Sequence, residues 1–344
     1  MKICAHISKD SFAPYQENFN LRCIHHLAQM FPGNSFILFA GKNQNFTCSE
    51  PNCTIIKLPA VNNRIQKYFL YSFRLPALLK RNKTDIIIPA ADNFYNSGII
   101  PQIPVIQNPS GFIREKRKWK KKNFGAMVVT APIEEKWVFD YPVTYSKHGM
   151  HVDFRPFNEE EKSRVRKQFT EDHEYFFTEI NAGCDKDLML ILKAFSIFKK
   201  WQRSSLKLVV LLHQPENAEP VRDFNLYKYK NDVVLLYYTN FTQMQRAALT
   251  GAAYACVLRA HLQIICSVKC HVPPITIATF KDAYGDAVHY SDNEEKSIAR
   301  GMIEIYKNEM YRSALVASTA RLSLEYTWEN AATQLWKAIE NSIQ

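Results

Sequence analysis

Apolar and polar positions along this chain change period repeatedly, and each change marks an element. KICAHI at the start alternates as a strand does, Asn18 to Met30 repeats its apolar residues at helical spacing, and SFILFA is again a strand run. Together they read as a β-α-β unit. TIIKL continues as a strand, Arg64 to Arg81 as a helix, and DIII, PVIQ (104–107), MVV (127–129) and PVTY (142–145) as short strands. Short apolar runs separated by helices predict a parallel sheet covered on both faces.

Between Ser146 and Asn158 the text SKHGMHVDFRPFN turns polar, with glycine and proline, and reads as a crossing between domains. A second series then begins. Asn158 caps EEEKSRVRKQF, which is acidic in its first turn and basic in its last, as the helix dipole favours. YFFTEI, a helix over Lys186 to Trp201, LKLVVLL, DVVLLYY, a helix over Thr242 to Leu249, YACVL, a helix over 262–269 and PPITIA follow. Helices over Asn293 to Tyr306, Glu309 to Leu324 and Trp328 to Ser342 close the chain. The expectation is an α/β protein of two doubly wound domains, 1–150 and 151–327, with 328–344 returning to the first. Ligands of such sheets bind at the carboxyl ends of the strands, so the default site is a cleft where the two sheets face one another.

A chain of 344 residues suits two domains on a prior of roughly 150 residues each. No apolar run approaches the ~18 residues of a membrane span. MKICAHISKD lacks the basic and long apolar stretches of an export signal, so a cytoplasmic address is expected. The eight cysteines lie mostly in apolar patterns and suit a reducing compartment. Cys266, Cys270 and His271 have no second pair at zinc spacing, and no metal is expected.

The net charge of +11 is partly local. REKRKWKKK, from Arg114 to Lys122, has seven bases against Glu115, with Phe112, Trp119 and Phe124 interspersed. Arg114, Lys116, Arg117, Lys118, Trp119, Lys120, Lys121 and Lys122 are candidate contacts to an anionic membrane on its cytoplasmic face. A solvated basic helix is the alternative. Nucleic acid is not expected, because no recognition motif accompanies the charge. Dinucleotide and Walker loops, H-E-x-x-H and the G-x-S-x-G elbow are all absent from the sequence.

Several longer segments resemble the family 4 glycosyltransferases of the GT-B fold: KDLMLILKAFSIFKKWQRSSLKLVV, NDVVLLYYTNFTQMQRAALTGAAYACV, CHVPPITI and YTWENAATQLWKAI. NFNLRCIHHLAQMFPGNSFILFAG and RLPALLKRNKTDIII follow the family's first half more loosely. The resemblance implies two Rossmann-like domains facing across a cleft, acceptor side first and donor side second. It also implies metal-free, retaining transfer from a nucleotide sugar in surface polysaccharide or glycan synthesis.

In that family a Gly-Arg followed by Lys meets the diphosphate, and an E-x7-E segment serves donor sugar and ribose. Aligned on Lys186, this chain has Ile180 for the glycine and Asn181 for the arginine. Aligned on CHVPP, it has Leu258 and Cys266 for the two glutamates, neither a useful acceptor for a sugar hydroxyl. Arg259, His261 and His271 fall at family glycines, as does Tyr237 after VVLL, and each adds bulk where backbone would approach phosphate or base. The donor-side candidates are therefore Lys186, Asn181, Arg259, His261, Cys266 and Tyr237. On the acceptor side the family's His-Asp pair corresponds to Gln107 and Asn108, and an amide is no base at neutral pH. Asp92 is the one carboxylate placed to substitute, or else a loop aspartate capping a turn. Two functions stay open. One is a transferase using a nucleotide sugar, and the other a non-catalytic pseudo-glycosyltransferase that binds a partner enzyme, polypeptide or glycan.

Overall fold

The structure is a computed structural model that describes residues 1–7, 18–42, 46–61, 63–90, 98–107, 123–132, 141–214, 224–238, 241–277 and 283–343. Asp92, Asn108 and the whole segment Arg114 to Lys122 lie outside the described residues. The chain divides into two compact units, Met1–Gly149 with Tyr326–Gln344, and Met150–Glu325.

The first unit opens with β1 (Lys2–Ile7), α1 (Phe19–Met30), β2 (Ser35–Gly41) and β3 (Cys53–Leu58). A continuous helical stretch follows, made of α2 (Arg64–Phe69), a π-helical turn (Leu70–Arg74) and α3 (Leu75–Arg81). Then come β4 (Ile86–Ile88), β5 (Val105–Ile106), β6 (Met127–Val129) and β7 (Val143–Tyr145). All pairings are parallel, in the orders β3-β2-β1-β4 and β5-β6-β7. Gln102 bridges Ile87 on one side and Phe124 on the other, so the strand leading into β5 links the two sheets.

Strand alternation sends Ile3, Ala5, Phe36 and Leu38 to the face under α1, while Cys4, Ile37 and Phe39 go to the face under Leu70, Leu75 and Leu79. Both faces are thus covered, as parallel sheets require. Side-chain caps set the helix starts: Asn18 Oδ1 accepts from Leu21 N and Asn63 Oδ1 from Gln66 N.

The second unit comprises α4 (Glu159–Thr170), β8 (Tyr175–Asn181), α5 (Asp185–Gln202), β9 (Lys207–His213), β10 (Val233–Tyr237), α6 (Gln243–Gly251) and β11 (Ala255–Leu258). It continues with α7 (His261–Lys269), β12 (Pro274–Ile277), β13 (His289–Ser291), α8 (Glu295–Lys307) and α9 (Glu309–Ser323). Its six parallel strands run β10-β9-β8-β11-β12-β13, the doubly wound order that reverses between β8 and β11. Asn158 and Glu161 form a full capping box on α4, and Thr242 and Gln245 another on α6. Phe176, Leu208, Val210 and Val257 pack under α5 and α8. The final helix, α10 (Trp328–Asn341), belongs to the first unit, where its Ala331, Ala332, Leu335 and Ile339 join the core around α1.

Among the described residues no helix is long and apolar enough to cross a membrane. All eight cysteines are free thiols.

Candidate functional site

The reversal of strand order places two loops side by side in the second unit, the one from β8 into α5 and the one from β11 into α7. In doubly wound sheets this is the switch point where ligands bind. Gly183, at φ +78, turns the first loop, and α5 then starts with Asp185, Lys186 and Asp187. The second loop carries Arg259 and leads to His261 at the start of α7.

Arg259 is engaged on two sides. Its Nε lies 3.2 Å from Asp187 Oδ2, and its Nη1 donates to Asn293 Oδ1 at 2.8 Å. The guanidinium therefore ties the first turn of α5 to the segment entering α8. Lys186 is exposed on that same first turn, and Asn181, also exposed, ends β8. A helix start attracts anions through its dipole and free N–H groups, but two carboxylates already supply the negative charge here. His261 Nδ1 is hydrogen-bonded to the Tyr284 hydroxyl. Tyr237 is half-buried at the end of β10 against the core around α5.

Beneath these loops lies a buried ionic cluster that the sequence reading did not single out. Alternation along β8 puts Glu179 on the same face as Tyr175 and Phe177, and its side chain is 1% exposed. Arg246 of α6, 0% exposed, reaches Glu179 Oε1 with Nε at 2.8 Å. His213, at the end of β9, sits 3.1 Å from Glu179 Oε2 through Nε2, with its ring 4.6 Å from that of Tyr238. Arg246 also donates through Nη2 to Cys266 Sγ at 3.7 Å and lies over the Phe154 ring. Burial by itself would raise the Glu179 carboxyl, but the Arg246 charge and the His213 hydrogen bond hold it below the ordinary carboxylate range. A signal did exist in the sequence: Glu179 is the one charge in an apolar strand run, and Arg246 lies on the face of α6 shared with Leu249 and Thr250.

Cys266, which the resemblance sets at one of the two glutamate positions, is therefore part of this buried floor, its thiol pushed up to about 12 by burial. Leu258, at the other, is buried at the end of β11. His271 holds φ 56 and accepts the glycine-like turn that ends α7, while its Nε2 meets Ser323 Oγ at 3.2 Å. The structure thus brings Asn181, Lys186 and Arg259 to the switch point and sets Cys266 below it. In the first unit, Gln107 follows β5 at the carboxyl edge of the sheet. Among the described residues no cluster of three His, Cys, Asp or Glu side chains could hold a metal ion.

No protein-family model matches the chain, and no curated protein matches it in sequence. Solved structures do. A glycosyltransferase from Rickettsia africae ESF-5 superposes with a TM-score of 0.73 at 9% identity, over 100% of this chain and 98% of that one. Anabaena Alr3699/HepE, in complex with UDP and glucose, gives 0.68 at 8% identity over 99% of each chain. WaaG, a glycosyltransferase involved in lipopolysaccharide biosynthesis, gives 0.67 at 10% identity over 97% and 98%. With two Rossmann-like units in one chain, the fold is that of the GT-B glycosyltransferases.

Proposed function

We propose that this chain is a non-catalytic member of the glycosyltransferase-fold proteins, one that works in glycan or surface-polysaccharide synthesis by binding a partner enzyme, a polypeptide or a glycan. The observation that carries this reading is the engagement of Arg259. A cation that would have to meet a nucleotide diphosphate is already neutralised by Asp187 and held by Asn293. Neither Leu258 nor the buried Cys266 replaces the acceptors that a donor sugar and ribose need. Retaining transfer in a metal-free site depends on stabilising the departing diphosphate, and such stabilisation comes from cations and amides aimed at it. At the start of α5 the charges of Asp185 and Asp187 oppose it.

A second reading, transfer from a nucleotide sugar, is favoured by one feature. Lys186 is exposed in the first turn of α5, next to Asn181 at the end of β8, where a phosphate could be met. The relative solved with UDP and glucose gives this reading its donor.

Thermal unfolding with UDP-, GDP- and ADP-sugars separates the two. A ligand at a hundred times its Kd adds about 2.7 kcal/mol by mass action, a shift of several degrees in a unit of this size. The expected result is no shift with any donor at millimolar concentration. A saturable shift that Lys186→Ala abolishes would establish donor binding and defeat the proposal. Asp187→Ala frees Arg259 and removes one opposing charge, and weak UDP binding is expected to emerge in that variant. If it stays silent as well, Arg259 is not what bars the diphosphate.

A further inference from the structure

We infer that the outward face of the helical stretch 64–81 docks on an anionic phospholipid bilayer. This inference concerns the first unit and does not rest on the reading of the switch point above. The stretch already satisfies its own core, since Leu70, Leu75 and Leu79 are buried against the sheet. Its other side nevertheless carries large apolar groups in water. Ile65 is 69% exposed, Tyr68 61%, Phe69 59% and Phe73 58%, whereas side chains of that size are normally at least half covered.

The π turn at Leu70–Arg74 explains how these rings gather. Its i to i+5 spacing brings Phe73 beside Tyr68, five residues back, with centroids 6.0 Å apart, and Phe69, four back, lies 5.7 Å from the same ring. Beside them opens a groove of about 550 Å³ whose walls include Pro59, Ala60, Val61, Phe69, Phe73 and Arg74. A contiguous apolar patch of this kind marks an interaction surface.

Charge decides the occupant. Residues 64–81 include Arg64, Lys67, Arg74, Lys80 and Arg81, all exposed, and not one carboxylate. A second copy of the chain would bring the same five cations against these, on a molecule already at +11. An anionic bilayer offers what the face lacks. Phosphates take the guanidinium and ammonium donors, and the acyl boundary takes the rings, with the basic stems snorkelling between. The groove gives an acyl chain room beside Phe69 and Phe73.

Flotation of the full chain with vesicles of phosphatidylglycerol and phosphatidylcholine, against phosphatidylcholine alone, tests this. Binding is expected only to the anionic vesicles, weakening as salt screens the surface. Phe69→Ser with Phe73→Ser, both exposed and so neutral to the thermal midpoint, should lower partitioning at least about tenfold. Arg64→Gln with Arg74→Gln should lower it on anionic vesicles and flatten the salt dependence. A third variant, with the seven bases from Arg114 to Lys122 changed to Gln, controls for that segment. Its residual binding should still fall when Phe69 and Phe73 are replaced. Wild-type protein that ignores anionic vesicles, or binding indifferent to Phe69 and Phe73, would overturn the inference. So would a wild-type dimer in sedimentation velocity that the double serine variant dissociates.

Discussion

Arg246→Met should destabilise the second unit by about 3–5 kcal/mol, the cost of stranding a buried charge after its partner is removed. Methionine fills nearly the same space, so the loss reports Glu179 and not a cavity. Glu179 has 1% of its side chain exposed, and Arg246 and His213 offset the cost of burying its charge. The pH dependence should reverse as well. In the wild type the carboxyl is held below its unfolded value, so its contribution is present above the ordinary carboxylate range and is lost as pH falls through the depressed folded value. Without Arg246, burial dominates and the folded carboxyl rises. Stability is then fullest below the unfolded value and drains away as pH increases through the raised one. Urea unfolding from acid to neutral pH, with hydrogen exchange in β8 and α6, reads both effects. Glu179→Gln with Arg246→Met should recover much of the loss, because no charge is left buried. If the double variant is as unstable as the sum of the singles, the pair is not what holds this floor.

That cluster also shows where reading the sequence stops. Periodicity located the helices closely because their signals are local. Asn18, Asn158 and Thr242 cap the helices they precede, and the boundaries over 64–81, 309–323 and 328–341 fall within a residue or two of the apolar pattern. Short β13 was not read as a strand, since His289–Ser291 is too brief to display a period. Within the site the loops were legible but the pairings were not. Asp187 and Arg259 are distant in sequence and meet only because β8 and β11 are neighbours at the switch point. A resemblance could assign Arg259 to a family glycine position without revealing that a carboxylate would be waiting for it. His271, which the resemblance sets at a glycine position, has its backbone in a glycine-like left-handed turn. The sequence over 64–81 reads as a helix, and which of its aromatic residues stay in water depends on the π turn, which no apolar period announces.

The point where the chain leaves the first unit supplies the other large effect expected. Gly149 is its last residue before the crossing, and Trp328 stands close to where the chain returns at Tyr326. A Cβ on residue 149 would lie 2.3 Å from Trp328 Cδ2 and 2.6 Å from Cγ, inside the indole. The ring cannot simply give way, because it is 9% exposed and packs against His148, 4.8 Å between centroids, and Phe19, 6.1 Å. Gly149→Ala should therefore cost about 3 kcal/mol as overpacking, lowering the melting point of this unit by roughly 6–12 °C. The mechanism makes a sharper claim than the magnitude. Trp328→Leu alone opens a cavity and destabilises, but in the alanine background it removes the clash, so the double variant should be more stable than the sum of the singles predicts. Strict additivity in that cycle would mean that Gly149 is needed for its backbone and not for its closeness to Trp328. Coupling of more than about 1 kcal/mol would show that one contact fastens α10 to the strand-side exit of the chain. The two ends of the second unit's insertion into the first would then be held at a single ring.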